Sequence, residues 1–351
     1  MPEFSKTWPD FTDFVIEITR EIWDERKILA LHDYYAKDIV VRTPGAVSLG
    51  VNATIQATYA SLGAAPYRTA GAEDVIWSAD ATGHFYSSHR VCDVFVHDHD
   101  SAYGQATGKK AWYWIIADCA ARDDMIDDEW LIRDTGGIVR QLDWTPRDFA
   151  AYQIEEEGGP ENCVRPLTAV NNLPGPYKGY GNDDPWGVKY EAILNRIMSG
   201  DLSTILDEYD EQCHTIYAGG RSEHTPNSVN AFWAQLRSAL PNATFSIEHR
   251  IGRVDDLMPP RAALRWTLHG KHEGWGAFGK PTGAEVYVMG ISHVEFGPRG
   301  IRREYALYDE VAIFKQILLQ SGGHRSVEPL SDREGAEPGD MTMLLQTRQR
   351  A

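Results

Sequence analysis

Two aspartates, Asp134 and Asp309, each stand shortly before an apolar helical pattern, Ile138-Val139-Arg140-Gln141-Leu142 and Ile313-Phe314-Lys315-Gln316-Ile317. A carboxylate there can cap the helix by accepting its free N–H groups. Sunk in an apolar pocket it can instead take up and return a proton, because lost hydration raises its pKa toward neutrality. His293 lies in the strand-like run Gly290-Ile291-Ser292-His293-Val294, as a core or rim histidine or as a proton carrier. Arg90 and Arg265 fall inside strand patterns, where a charge is costly unless paired; Glu73 and Glu248 are the natural partners, and an anionic substrate is the alternative. Tyr34 and Tyr209 end a helical stretch, packing in the core or reaching a cavity with the hydroxyl. Trp112-Tyr113-Trp114 is the most aromatic run, and alternation puts Trp112 and Trp114 on one face. That face either lines a flat pocket or packs against another copy of the domain. Tyr287 and Met289 hold the corresponding places further on.

Other chemistries find less support. Val96-His97-Asp98-His99-Asp100 alternates possible metal ligands, but spacing fixes no third or fourth, so a solvated hairpin end is expected and no metal. Gly104 to Gly108 lacks the spacing of a phosphate loop. Cys92, Cys119, Cys163 and Cys213 form no CxxC pair and read as reduced, buried residues. A formal charge of -17 argues against nucleic acid as a partner. No apolar run approaches the ~20 residues of a membrane span, and the N-terminus carries no secretory pattern, so the expected location is cytoplasmic.

The elements that position these residues come twice. A constant shift of 175 carries Ile18 to Ile193, Leu31 to Leu206, Tyr34 to Tyr209, Gly45 to Gly220, Arg90 to Arg265, Glu129 to Glu304 and Asp134 to Asp309, with no slip of register, and identities exceed chance roughly threefold. Each copy opens with an amphipathic helix, Phe11 to Ile22 or Trp186 to Met198, the latter with Asp184 as N-cap before Pro185. A second helix, a short β segment and a third helix capped by Asn52 or Asn227 follow. After Pro66 and Pro241 come four strands, near 73–79, 85–97, 109–120 and 128–134, then 245–251, 261–271, 284–296 and 302–308. A curved antiparallel sheet wrapped around helices is the α+β solution, a cone with one open mouth. The expected organisation is a first domain at 1–145, a Pro/Gly-rich linker at 146–183, a second domain at 184–321 and a polar tail at 322–351.

Ala102-Tyr103-Gly104-Gln105-Ala106-Thr107-Gly108, followed by Trp130-Leu131-Ile132-Arg133-Asp134 and Ile138 to Leu142, resembles the C-terminal half of SnoaL-like polyketide cyclases. So does Ala277 to Gly283 followed by Tyr305 to Asp309 and Ile313 to Ile317. The resemblance implies two tandem cone-shaped α+β barrel domains of the nuclear transport factor 2-like type. It also implies acid/base catalysis without metal or organic cofactor, by Asp134 or Asp309, on a hydrophobic aromatic or polyketide-like carbonyl compound. Intramolecular aldol closure is the specific expectation; a lyase, isomerase, dehydratase or hydrolase on the same scaffold, or a non-catalytic binding module, are the alternatives. The assisting histidine of the family corresponds to His293 in the second copy, where the first copy has Asp118, and the two copies are therefore expected to have divided their labour. The domains are expected to pair within the chain, leaving a homodimer of the whole chain open.

Overall fold

The computed structural model describes residues 4–5 and 7–323. The polar tail read at 322–351 therefore lies, from residue 324 on, outside the described residues.

The first repeat runs α1 (Phe11–Trp23), α2 (Leu31–Tyr34), β1 (Tyr35–Thr43), β2 (Ala46–Leu49), α3 (Val51–Ala64), β3 (Thr69–Ala79), β4 (Phe85–Val96), β5 (Lys110–Arg122), β6 (Met125–Arg133) and α4 (Thr135–Gln141). Helix α5 (Pro146–Glu156) follows. The second repeat runs α6 (Pro185–Met198), α7 (Ser203–Glu208), β7 (Tyr209–Tyr217), β8 (Arg221–His224), α8 (Pro226–Ala239), β9 (Thr244–Arg253), β10 (Arg261–Lys271), β11 (Glu285–Gly297), β12 (Gly300–Leu307) and α9 (Glu310–Ser321). Each repeat forms one open six-stranded sheet, ordered β2-β1-β6-β5-β4-β3 and β8-β7-β12-β11-β10-β9. The sheets are mixed rather than wholly antiparallel, because the long connection from β1 to β6 returns the chain parallel to β1, as it does from β7 to β12.

Local chemistry sets the helix starts. Asp10 accepts from Asp13 N, and Asp184 accepts from Trp186 N with Pro185 at the first helical position. The expected Asn caps of the third helix are not used. Helices α3 and α8 begin after Gly50 and Thr225, both at positive φ and neither making a side-chain capping bond, and Asn52 and Asn227 sit inside the first turn.

The constant shift of the two copies also breaks once. Glu129 pairs with Val41 while Glu304 pairs with Thr215, so β1 and β7 correspond at a shift of 174. Tyr35, not Tyr34, is thus the counterpart of Tyr209. Burial agrees: Leu31 and Ile205 are buried, whereas Leu206 is 75% exposed. The extra residue in the β7–β8 turn, Ala218-Gly219-Gly220 against Pro44-Gly45, restores the shift to 175.

Side chains alternate across each strand, so each sheet has two distinct faces. The concave face holds its own helices. The other faces its twin, and Ile76, Tyr86, Ile116 and Ile132 of the first sheet meet Ile251, Ala263, Ile291 and Leu307 of the second in one apolar layer. The segment read as linker is docked along its length. Phe149 and Ile154 of α5 are buried in a cluster with Val311 and Leu318 of α9, Leu167 N donates to the Pro44 carbonyl, and Arg42 donates to the Leu173 carbonyl.

Candidate functional site

Most of the chemistry-bearing residues singled out above lie between the sheets. Asp118 is buried on β5, accepting hydrogen bonds from Tyr86 Oη at 2.7 Å and from the Ser88 hydroxyl. His293 on β11 meets Ser88 Oγ at 2.7 Å through Nε2 and Arg90 Nη1 at 3.2 Å through Nδ1. The two arginines cross over: Arg90 stacks 3.5 Å over Tyr305 of the second repeat, and Arg265 stacks 3.8 Å over Trp130 of the first. Arg90 also pairs with Glu73 at 2.8 Å, whereas the acid beside Arg265 is Asp118 at 3.5 Å; Glu248 accepts from Thr267 instead. Burial, then Arg90, hold the His293 imidazole well below its ordinary pKa, so it is neutral, and burial raises the Asp118 carboxyl. Trp114 meets Tyr305 edge-on and Met289 is buried in the intersheet layer, so this aromatic face is turned toward the other domain. Trp112 is half exposed beside Trp114, and Tyr287 accepts from Asn172 of the connecting segment.

Asp134 and Asp309 are caps. Asp134 accepts from Gly137 N at 2.9 Å and, across the interface, from Gly219 N and Gly220 N, both at 2.7 Å. Asp309 accepts from Val311 N, Ala312 N and the Thr135 hydroxyl of the first repeat. Burial lifts both carboxyls to about 6. Neither is among the residues that line the cavity of the first cone, and their acceptor sites are occupied by backbone and hydroxyl donors.

A cavity of about 170 Å³ lies in the first cone, between α1, α3 and the concave face of the sheet. Alternation brings His89, Val91 and Asp93 from β4, Ile115, Ala117 and Cys119 from β5, and Glu129, Leu131 and Arg133 from β6 to its wall. These are the positions of opposite parity to Arg90, Asp118 and Trp130. Glu129 is 5% exposed, and burial carries its carboxyl up to about 7; the Tyr35 hydroxyl beside it pulls the other way, and neighbouring Asp128 adds to the rise. His89 is held down at about 4 by burial. Toward the end of β6, Asp93 accepts from Tyr113 Oη at 2.8 Å and lies 3.3 Å from Arg68 Nε. Tyr34 points elsewhere, donating to Glu21 at 2.6 Å.

In the second cone the same frame is filled. Val15, Thr43, Ala57, Thr58 and Val91 of the cavity wall correspond to Tyr190, Tyr217, Phe232, Trp233 and Trp266, all buried in one core. The Trp266 indole covers Gly290, where a Cβ would stand 2.1 Å from a ring carbon. Glu304, the counterpart of Glu129, is saturated: Tyr190 and Tyr209 donate at 2.8 and 2.9 Å, Tyr217 donates to the other oxygen, and Trp233 Nε1 lies 3.4 Å from that oxygen. Tyr209 is therefore part of the plug.

The sequence reading missed Glu129, Tyr35, His89, Asp93, Arg68 and Arg133. For four of them a signal was present in the repeat itself, in columns where the second copy lacks the charge: Asp93 with Leu268, His89 with Leu264, Arg68 with Ala243 and Arg133 with Tyr308; Glu129 and Tyr35 are matched by Glu304 and Tyr209. The resemblance to the cyclases instead drew attention to Asp134 and Asp309.

Two tandem α+β cones packed sheet to sheet, one hollow and one solid, define the protein's class. Residues 188–317 match the family model of SnoaL-like polyketide cyclases, so the second repeat is a SnoaL-like domain and the first is its duplicate. No curated protein matches the chain. Among solved structures, IdmH from Streptomyces antibioticus, a proposed polyketide cyclase, is 18% identical over 37% of this chain and 96% of its own, with a TM-score of 0.34. A proposed polyketide cyclase from Acidithiobacillus ferrooxidans is 22% identical over 40% and 97%, with a TM-score of 0.33. A SnoaL-like polyketide cyclase from Agrobacterium tumefaciens is 18% identical over 38% and 98%, with a TM-score of 0.30. Among the described residues no helix is long and apolar enough to cross a membrane.

Proposed function

We propose that the first cone is an acid/base catalytic centre acting, without a cofactor, on a small hydrophobic aromatic carbonyl compound, with Glu129 as the proton carrier. The observation that carries this reading is the contrast between Glu129 and Glu304. In one frame the buried carboxyl is saturated by tyrosines and a tryptophan; in the other it faces a cavity with a pKa near 7. A carboxyl poised near neutrality exists in both forms, as proton abstraction and return require. The carboxylate removes a proton from the carbon next to the carbonyl, and Tyr35 stands beside it as a hydroxyl donor for the oxygen that gains charge. In a substrate that carries a second carbonyl, the enolate carbon attacks that carbonyl carbon, its C=O π bond breaks to an alkoxide, and return of the proton to this oxygen completes an aldol closure. Stopping earlier gives isomerisation, and expelling a neighbouring group gives a lyase or dehydratase outcome. An engineered apolar cavity of about 150 Å³ holds benzene, so about 170 Å³ suits a ligand built around one ring. The second domain serves as scaffold, supplying the covering sheet that a separate subunit would otherwise provide.

The test is exchange of the methyl protons of acetophenone in deuterium oxide, followed by NMR. The protein accelerates exchange, and Glu129→Gln lowers the rate by about a hundredfold or more. Folded Asp134→Asn and Asp309→Asn retain it. A Glu129→Gln protein exchanging at the unsubstituted rate would refute the assignment, and ligand binding without exchange in any variant would leave a binding module.

A further inference from the structure

We infer that the end of the first cone opposite Glu129 is an anion site, built from Arg68, Arg133 and Ser61, and that the natural substrate is a small aromatic keto acid whose carboxylate docks there. The inference names the substrate class for the centre proposed above and rests on that reading for the ketone half alone. Glu129 and Arg133 share one face of β6 four residues apart, which sets their backbones about 13 Å from each other. The proton carrier and the guanidinium therefore mark two ends of one cavity.

The arginine end carries surplus positive charge. Arg68 is 4% exposed with its guanidinium 4.0 Å over the Trp23 ring, and Arg133 stands near it in the same wall. Asp93 is the acid between them. Its carboxylate is already shared by Tyr113 Oη at 2.8 Å and Val94 N at 2.9 Å. The Nε groups of Arg68 and Arg133 make no hydrogen bond, although Arg68 Nε lies 3.3 Å from Asp93. Ser61 Oγ accepts from Arg68 Nη1 at 3.2 Å and Arg133 Nη2 at 3.4 Å, which leaves its own proton to donate. Buried donors without acceptors are costly, and a planar carboxylate matches the guanidinium fork.

The fold does not require this cluster. The second cone closes over Ala243, Leu268, Tyr308 and Leu236 where the first has Arg68, Asp93, Arg133 and Ser61, and over Val288 where the first has Tyr113. A cluster of buried and half-buried charges found in the hollow cone and replaced by uncharged residues in the solid one is what recognition of a charged ligand demands.

The experiment is calorimetric titration at neutral pH with two probes of the same ring, acetophenone and para-acetylbenzoate. The protein binds the carboxylate about tenfold more tightly or better, and in Arg133→Met or Arg68→Met the ratio of the two affinities falls toward one. Glu129→Gln keeps the ratio while losing exchange. Equal affinities in the unsubstituted protein, failure to bind para-acetylbenzoate, or an unchanged ratio in a folded arginine variant overturns the inference. If neither arginine variant folds, the unsubstituted ratio decides. Exchange of acetophenone without any anion preference sinks this inference alone; anion preference without exchange of either ketone sinks the catalytic reading alone.

Discussion

Asp118 and His293 stand in the same column of the duplicated sequence and meet across the domain interface, joined by the hydroxyl of Ser88. The direction of each bond is fixed by what the partners can donate. Arg90 can only donate, so Nδ1 of His293 accepts and Nε2 carries the proton; Ser88 accepts that bond and donates its own hydrogen to Asp118. A residue pair that one copy supplies as acid and the other as imidazole closes the joint of the molecule. Two acids here would repel, and two imidazoles would leave Arg265 without the carboxylate 3.5 Å away.

Asp118→Leu is therefore a stability variant. It removes the acid beside a buried guanidinium and strands the Tyr86 and Ser88 hydroxyls, and breaking one side of a buried ion pair costs about 3 to 5 kcal/mol. Thermal unfolding reads the loss, with exchange activity per folded molecule retained. Full stability together with lost activity would instead return Asp118 to catalysis.

His293 makes this joint acid-sensitive. Its folded pKa is depressed by burial and by Arg90, while the unfolded chain takes up its proton near 6.5. The unfolded state thus binds more protons below that pH, and stability is lost as pH falls. Between pH 7.5 and pH 5 the unfolding free energy of the protein drops relative to His293→Gln by about 2 kcal/mol, measured by urea denaturation at both pH values. Asp134 and Asp309, raised to about 6, act in the opposite sense but are common to both proteins and cancel. An unchanged difference would mean that the imidazole is charged in place.

The duplication, the helix–strand order and the caps at Asp134, Asp184 and Asp309 were legible because they depend on local spacing and composition. Strand faces were not. Arg90, Asp118 and His293 look like cavity residues in a strand whose both faces are buried, since alternation gives parity but not which parity faces the helices. The tight pairing of two sheets put polar side chains on the outer faces, where a solitary domain would show solvent. The hollow and solid cones were equally hidden, because volume is set by facing residues far apart in sequence, such as Val15 with Thr58 or Tyr190 with Trp233.

Glu129 yields two pH dependences with one origin. As a base its active form is the carboxylate, so kcat/KM rises with pH through about 7 and levels above it. In stability the sign is reversed: a carboxyl raised in the folded state contributes fully below its ordinary 4.5 and loses that contribution as pH climbs through about 7. Glu129→Gln accordingly gains about 2 to 3 kcal/mol relative to the unsubstituted protein between pH 5 and pH 8. Denaturant titrations at the two pH values give the difference. A flat difference would place an unseen cation against the carboxyl.

Exchanging one column between the copies tests whether cavity and plug are alternatives of one frame. Thr58 lines the hollow cone where Trp233 fills the solid one. Thr58→Trp puts the indole where the ligand would sit, so acetophenone exchange and binding are lost together, at an overpacking cost of about 1 to 3 kcal/mol. Trp233→Thr does the reverse, removing a fully buried indole and one of the four donors around Glu304, and costs about 3 to 5 kcal/mol with no effect on exchange in the first cone. Unfolding curves and exchange rates on both variants separate the roles. Activity that survives Thr58→Trp but disappears with Trp233→Thr would move the reaction into the second domain.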